Sequence, residues 1–289
     1  MTEWIAVDWG TSNLRVWGMR GDASLWEATT PDGMAMLAPD GFERTLLAAI
    51  GDRIDGPTDV VVCGMAGSRQ GWVEAPYRPV PCAPQGGPAA VPPTTDPRLR
   101  VRILPGLCQL DPPDVMRGEE AQVAGLLAAD PDYDGAICLP GTHSKWVHVS
   151  AGEVVSFCTA LTGEFFSLLK QSTLRHSLGA WEEAPFLDAV SETLSRPERI
   201  LTDLFRIRAA HLLQEDETGG SRLSGLLVGA ELAATRAWWL GRPVALVGAE
   251  RLTAIYAAAL GAQGVPIAKH DATATTLRGL LAARQAMIP

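Results

Sequence analysis

The sequence offers no disulfide framework and no zinc site. Its five cysteines are odd in number and scattered, with no C-x-x-C pair, which fits a reducing compartment without a structural metal. Cys63, Cys138 and Cys158 sit inside apolar runs and read as small core residues. The five histidines show no ligand spacing, so no zinc is expected. Positive charge is also short: 24 Lys and Arg against 33 Asp and Glu give a net charge of −9. That balance excludes the dense basic face that nucleic acid or an anionic membrane requires. No apolar run is long enough to span a bilayer. The chain enters a strand without a basic stretch and a long apolar stretch ahead of it, so a cytoplasmic location is expected. Glycine (29) and proline (21) are plentiful but follow no period, which excludes collagen-like and low-complexity readings. What remains is globular. The 289 residues, 47% hydrophobic and 20% charged, are enough for two domains with ordinary cores.

The stretch Ile5 to Trp17 organises the rest. Ile5 to Val7 is an apolar, β-prone run; Leu14, Val16 and Met19 form a second, and Gly10 lies between them, so the segment reads as a hairpin. The turn carries the chemistry. Gly10 lets a ligand approach the backbone, while Thr11 and Ser12 offer hydroxyls and N–H groups to a phosphate. Asp8, at the end of the first strand, is placed to hold a hydrated Mg²⁺ on that phosphate. The pattern is short, and a surface hairpin would read the same way.

A third strand is expected over 24–30 and a helix over 41–52, with Asp40 as its cap. Val60 to Cys63 is a buried strand, followed by a loop holding Ser68 and Arg69. Residues 70–100 contain eight prolines, which exclude a helix and a central strand; Trp72, Tyr77 and Arg78 there could wall a substrate pocket. A strand at 101–104 precedes a helix opened by Glu119 and Glu120, whose carboxylates the helix dipole favours. Strands at 136–139, 146–149 and 154–157, with a G-T turn after the first, repeat the plan of residues 4–30. Two domains are expected, 1–133 and 134–289, with the last helix able to pack back on the first. The second is mostly helical, with helices over 161–178, 197–213, 222–240, 250–260 and from Asp271 to about 287. It holds a strand at 244–247 and an edge strand at 265–268.

Three features in order resemble the actin, sugar kinase and Hsp70 superfamily. Asp8 to Ser12 resembles its first phosphate loop, Leu139 to Ser144 takes the place of its second, and Val244 to Leu252 looks like its adenosine motif. The resemblance implies an α/β, two-domain actin-like ATPase (ribonuclease H-like) fold, with mixed sheets flanked by helices and ATP in the interdomain cleft. The runs Asp8 to Arg15, Gly106 to Cys108, Val115 to Glu120, Leu139 to Trp146, Leu161 to Glu164 and Leu223 to Glu231 resemble the 2-keto-3-deoxy-galactonate kinases more specifically. For that family the implied activity is ATP-dependent phosphorylation of the 6-hydroxyl of 2-dehydro-3-deoxy-D-galactonate, with ATP and Mg²⁺ required. One departure stands out. The second phosphate loop of the superfamily usually opens with Asp and carries several glycines, whereas Pro140 and a single Gly141 stand here. Lys145 adds a positive charge near that loop.

The resemblance distributes the roles. Asp8 holds the metal, and Gly10, Thr11, Ser12, Gly141 and Thr142 cradle phosphates. Gly229, Gly248 and Ala249 lie near the adenine, with helix packing as the rival for Gly229. ROK sugar kinases place an Asp at the start of a first-domain helix shortly before the second phosphate loop. Polyphosphate phosphatases show a G-x-E-E-A run there. Glu120 fills that register as the base for the sugar hydroxyl, with Glu119 as the fallback. A sugar acid brings a carboxylate that wants an arginine, for which Arg15, Arg69 and Arg117 are candidates; Asn13, Ser68 and Glu164 are candidates for other substrate contacts. His143 could touch phosphate. Partners are expected to be small molecules, not nucleic acid or membrane, with a homodimer allowed. The alternatives are a kinase of the same fold on another sugar or sugar acid such as 2-keto-3-deoxy-gluconate, a phosphohydrolase, and an ATP-binding regulator.

Overall fold

Alternation in the first strands decides which side chains meet which helices. The computed structural model describes residues 1–287. Strand β1 (Trp4–Trp9) pairs antiparallel with β2 (Leu14–Arg20), which pairs antiparallel with β3 (Ala23–Thr30). Helix α1 (Phe42–Ile50), strand β4 (Thr58–Gly64), β5 (Tyr77–Pro79) and β6 (Leu99–Ile103) follow. β4 runs parallel to both β1 and β6, giving a mixed sheet in the order β3-β2-β1-β4-β6. Successive residues of a strand point to opposite faces. Ile5, Val7, Trp9, Val16, Val60 and Val62 therefore bury against Phe42, Leu46 and Ile50 of α1. The other series, Trp4, Ala6, Trp17, Met19, Val61 and Cys63, meets Ala121, Leu280 and Ala283. Asp8 and Arg15 continue that second series at the end of the hairpin.

After β6 come β7 (Gly106–Leu110), β8 (Pro113–Met116) and α2 (Glu119–Ala129). The chain continues through β9 (Gly135–Leu139), β10 (Ser144–Ser150), β11 (Glu153–Ala160), α3 (Thr162–Leu169), α4 (Glu183–Ser195), α5 (Ile200–Gln214), α6 (Gly219–Ala234) and α7 (Arg236–Trp239). It ends with β12 (Val244–Gly248), α8 (Glu250–Gly261), β13 (Ile267–Asp271) and α9 (Ala272–Met287). The second sheet has the order β11-β10-β9-β12-β13, with β12 parallel to β9 and β13. Rank for rank this is the order of the first sheet, so the repeated hairpin-then-parallel plan is a repeated sheet. Two compact units result. One holds residues 1–134, 149–156 and the stretch from Ala272, and the other holds 135–148 and 157–271. The second unit has its own core of Trp146, Phe186, Val190, Leu232, Trp239, Leu246 and Leu260.

The structure corrects several local expectations. Asp40 does not cap α1: Gly41 is the N-cap residue and no side chain bonds to that helix end. The helix expected over 161–178 stops at Leu169 and resumes only as a 3-10 turn at Thr173–His176. Residues 183–195, for which no element is expected, form α4, which Ser195 closes, and a 3-10 turn at Pro197–Arg199 leads into α5. The hairpin β7–β8 is likewise not among the expected elements; with β5 it makes a small three-stranded sheet in the order β5-β7-β8. The proline-rich stretch contributes to it only the edge strand β5, as its missing N–H groups require.

Helices α2 and α9 touch through glycine. A Cβ on Gly125 would lie 1.8 Å from the Thr275 carbonyl oxygen, and one on Gly279 1.8 Å from that of Ala121. Only the absence of side chains allows this approach, and backbone cannot turn aside as a side chain can. Gly279→Ala is expected to cost about 3 kcal/mol by forcing the helices apart. The measurement is urea unfolding, where the midpoint falls with an unchanged slope.

Candidate active site

In the first unit, three backbone segments converge at the ends of β1 and β4 and the start of α2. Gly64 ends β4 at φ +91°, and a Cβ there would lie 2.5 Å from the Trp9 carbonyl oxygen. Gly118 opens α2 at φ +108°, and its Cβ would lie 3.3 Å from the Gly64 Cα. Both positions need glycine for the left-handed backbone and for the approach. The adjoining turn is held from behind. Gly10 N–H donates to Asn13 O at 2.9 Å, while Met34 and Ala35 N–H donate to Gly10 O and Thr11 O at 3.0 Å each. Thr11, Ser12 and Asn13 stay exposed.

Asp8 lies directly opposite Arg15 in the hairpin register, and the Arg15 guanidinium donates to its carboxylate. The pair holds the Asp8 carboxylate at the open end of the hairpin. A single aspartate of this kind suits Mg²⁺, which commonly takes one or two carboxylates and completes its shell with water and phosphate. Among the described residues no group of three or more His, Cys, Asp or Glu could hold a metal by itself.

The two glutamates of α2 have different surroundings. Glu119 is half-buried and accepts from the Arg117 N–H at 3.1 Å. Glu120 is 2% exposed, accepts from the Gly118 N–H at 2.7 Å through Oε2, and has no partner for Oε1 among the described residues. It faces a cavity of about 10 Å³ walled by Leu104, Pro105, Ala124 and Ala283, room for about one water. Burial, reinforced by the charge of Glu119, pushes its carboxyl up to about 8. Cys63 lies near enough to Asp8, Glu120 and Arg15 to feel all three charges, and burial raises its thiol well above the ordinary range. Asp8 and Glu120 thus flank one buried residue on one face of one sheet.

The three candidate arginines separate. Arg69 is 80% exposed and reaches Glu74 at 3.6 Å. Arg15 is held by Asp8. Arg117 stacks 4.2 Å over the Tyr77 ring and donates one Nη to the Ala75 carbonyl at 2.8 Å. Its other Nη is buried and unpartnered among the described residues, close enough that a Cβ on Gly67 would sit 2.8 Å away. Ser68 is buried, and its hydroxyl likewise has no partner among those residues. Of the expected pocket-wall residues, Tyr77 supports Arg117, whereas Trp72 packs in the core, 6.1 Å from both Trp9 and Phe42. Arg78 is tied to the carbonyls of Ala83 and Pro84.

In the second unit the loop between β9 and β10 is braced by α3. Glu164 N–H donates to Thr142 O at 2.9 Å, and a Cβ on Gly163 would lie 2.3 Å from Gly141 O. Glu164 contacts His143 at 2.6 Å, so it sits beside the loop between β9 and β10. Lys145 is buried, 4% exposed, within β10. Gly248 brings the end of β12 to this loop, where a Cβ would meet Pro140 O at 3.5 Å, and Ala249 is the N-cap residue of α8. Gly229 instead abuts α4, 2.7 Å from the Val190 carbonyl oxygen for an added Cβ. A cavity of about 350 Å³ opens beside Gly141 and Thr142, walled by Lys170, Trp181, Arg251 and Tyr256. None of those four was singled out from the sequence. Arg251 lay within the adenosine-like run Val244 to Leu252, so its signal was present.

Comparison with known proteins agrees with this geometry. The family model described as 2-keto-3-deoxy-galactonokinase matches residues 8–283. A Rhizobium meliloti protein called a probable 2-dehydro-3-deoxygalactonokinase is 40% identical over 301 residues, covering 98% of this chain and 97% of that one. The Escherichia coli 2-dehydro-3-deoxygalactonokinase is 36% identical, covering 91% of each chain. A Sinorhizobium meliloti crystal structure of the same designation is 39% identical, covering 99% of this chain and 97% of its own, with a TM-score of 0.90. A structure titled as an N-acetylglucosamine kinase from Porphyromonas gingivalis, 13% identical over 98% of this chain and 99% of its own, shares the fold at a TM-score of 0.50. The glycine-shaped meeting of β1, β4 and α2, the braced second loop and these matches lead to one assignment: the chain has the actin-like sugar kinase fold and belongs to the 2-keto-3-deoxy-galactonokinase family.

Proposed function

We propose that this chain transfers the γ-phosphoryl group of ATP to the 6-hydroxyl of 2-dehydro-3-deoxy-D-galactonate. The observation that carries the assignment is the match to the 2-keto-3-deoxy-galactonokinase family along residues 8–283. The cavity beside Gly141 and Thr142 supports a nucleotide site in the second unit, with Lys170 and Arg251 on its wall for phosphate charge. The exposed hydroxyls of Thr11 and Ser12 on their braced turn suit further phosphate contacts.

Phosphoryl transfer asks for positioned phosphates, charge neutralisation and an oriented hydroxyl. Asp8 would hold Mg²⁺ through water, and the metal would neutralise phosphate charge. The C6 oxygen attacks the γ-phosphorus, the bond to the β-bridging oxygen breaks, and ADP leaves with that electron pair. The hydroxyl proton goes to a carboxylate of α2. Glu120 is the base in this reading, because burial raises its proton affinity toward working pH, where a general base is most effective. Arg117 binds the substrate carboxylate, since its buried Nη lacks a partner and Tyr77 fixes its plane. Ser68 supplies a hydroxyl beside it.

A panel of acceptors tests the proposal. With Mg·ATP, ADP release is expected to be strong with 2-keto-3-deoxy-galactonate and at least ~100-fold weaker with free hexoses, N-acetyl sugars or water, since a buried guanidinium rejects an acceptor that leaves it unpaired. Arg117→Ala is expected to raise the KM for the sugar acid about 100-fold while leaving the KM for ATP in place. Equal turnover on 2-keto-3-deoxy-gluconate would widen the substrate class, and release with water alone would overturn the kinase reading.

A further inference from the structure

Beneath the wall of the ~350 Å³ cavity lies a buried carboxylate that the proposed chemistry does not use. Glu231, on α6, is 4% exposed. Its Oε1 accepts from the Trp146 indole N–H of β10 at 2.8 Å. Its Oε2 accepts from the Tyr256 hydroxyl of α8 at 2.6 Å and from the Thr162 hydroxyl at the start of α3. The Tyr256 hydroxyl also lies 2.9 Å from Ser144 Oγ, where β10 begins. One side chain therefore gathers donors from β10, α3 and α8. Thr162 and Tyr256 line the cavity. Trp146 and Ser144 stand on the strand that leaves the Gly141–Thr142 loop, and Gly163, next to Thr162, packs on Gly141.

A carboxylate is unusually suited to this place. An indole N–H only donates, and two hydroxyls crowd the second oxygen, so an acceptor-only group satisfies all three at once. Bonds to a charged acceptor are also the stronger kind. Burial pushes the Glu231 carboxyl up against the pull of those donors, so the bonds offset part of the cost of burying the charge. A group spent only on core stability would be better replaced by an apolar side chain. Here the bonds end on cavity-lining atoms.

We propose that Glu231 is a positioning residue for nucleotide binding: its carboxylate ties Thr162, Tyr256 and the β10 end of the Gly141–Thr142 loop into one preformed cavity wall. This rests on reading that cavity as the nucleotide pocket. Glu231 touches no reacting atom, so it acts on affinity rather than on the chemical step.

Glu231→Gln keeps the size and the acceptor for Trp146 but turns an N–H toward the two hydroxyls. It is expected to raise the KM for ATP about tenfold or more, with kcat within about threefold and the KM for the sugar acid unchanged. Tyr256→Phe and Thr162→Val, which leave the carboxylate in place, are expected to raise the ATP KM several-fold each. The Glu231→Gln/Tyr256→Phe double variant should fall short of the product of the single effects, as for residues in one network. A lowered thermal midpoint with an unchanged ATP KM in all three single variants would make the network merely structural and overturn the proposal. Lys170→Ala and Arg251→Ala separate the underlying reading: if neither changes the ATP KM while sugar-acid phosphorylation persists, the cavity is not the nucleotide pocket. Should Glu231→Gln not fold, Thr162→Val and Tyr256→Phe decide by the same KM-against-kcat split.

Discussion

Replacing Glu120 by Gln is expected to lower kcat by roughly 10²–10⁴ while leaving the KM for ATP nearly unchanged. The amide keeps the size and the acceptor for the Gly118 N–H but cannot take the hydroxyl proton. Near-normal turnover in this variant, together with a large loss in Glu119→Gln, would move the role to Glu119. The pH profile carries a second signature. With its carboxyl pushed up to about 8, Glu120 is protonated through most of the neutral range, whereas the proposed base role requires the carboxylate. Wild-type kcat/KM is therefore expected to rise about tenfold per pH unit from pH 6 and level off above about 8, measured with a buffer-independent coupled assay.

The same shift predicts an opposite trend in stability. A carboxyl whose proton affinity is higher in the folded chain than in the unfolded one adds stability that is fully present below the unfolded value of 4.5. It is lost as pH rises through about 8, because the unfolded chain sheds its proton first. At about 1.4 kcal/mol per pH unit the loss is on the order of 5 kcal/mol. Glu120→Gln has no proton to lose there. Its thermal midpoint relative to wild type should therefore climb between pH 5 and pH 8.5, so that the least active variant becomes the more stable protein. A flat difference across that range would mean the side chain is solvated and ionised.

Asp8→Asn is expected to lower kcat by roughly 10²–10³ and to raise the Mg²⁺ concentration needed for half-maximal rate. In the proposed role the Asp8 charge would hold a hydrated cation on the phosphates, the amide lacks that charge, and neutralisation of phosphate charge is worth several kcal/mol in such transfers. Folding should survive, because Asn matches the shape of Asp and Arg15 retains 33% side-chain exposure, enough for water to solvate its freed guanidinium. The measurement is a Mg²⁺ titration of the rate at saturating ATP. An unchanged half-maximal Mg²⁺ concentration would confine Asp8 to its ion pair with Arg15.

Much of the architecture was legible locally. The hairpin from Ile5 to Trp17, the edge placement of the strand after Pro266 and the repeated strand plan follow from period-2 patterns and turn residues, which act over a few positions. The misses share a physical cause. Hairpin β7–β8 is held by pairing with β5, whose residues lie some thirty positions earlier, and nothing in Gly106 to Met116 announces that partner. Helix α4 did carry helical spacing at Phe186, Ala189, Val190, Thr193 and Leu194, and its Pro185 falls in the first turn, where proline is tolerated.

By itself the sequence determined the repeated strand plan, the two glycine-bearing turns, the helix opened by Glu119 and Glu120, and the resemblance that names the family. Those depend on residue type and near-neighbour spacing. Only the tertiary structure decided that Arg15 is held by Asp8, that Arg69 turns to solvent while Arg117 keeps a buried Nη unpaired, and that Glu120 rather than Glu119 is sealed from water. It also decided that Glu231 joins three elements under the cavity wall. Charge pairing and burial are set by what other segments bring to within a few ångströms. Their free energy depends on desolvation at that place, and no pattern along the chain carries that information.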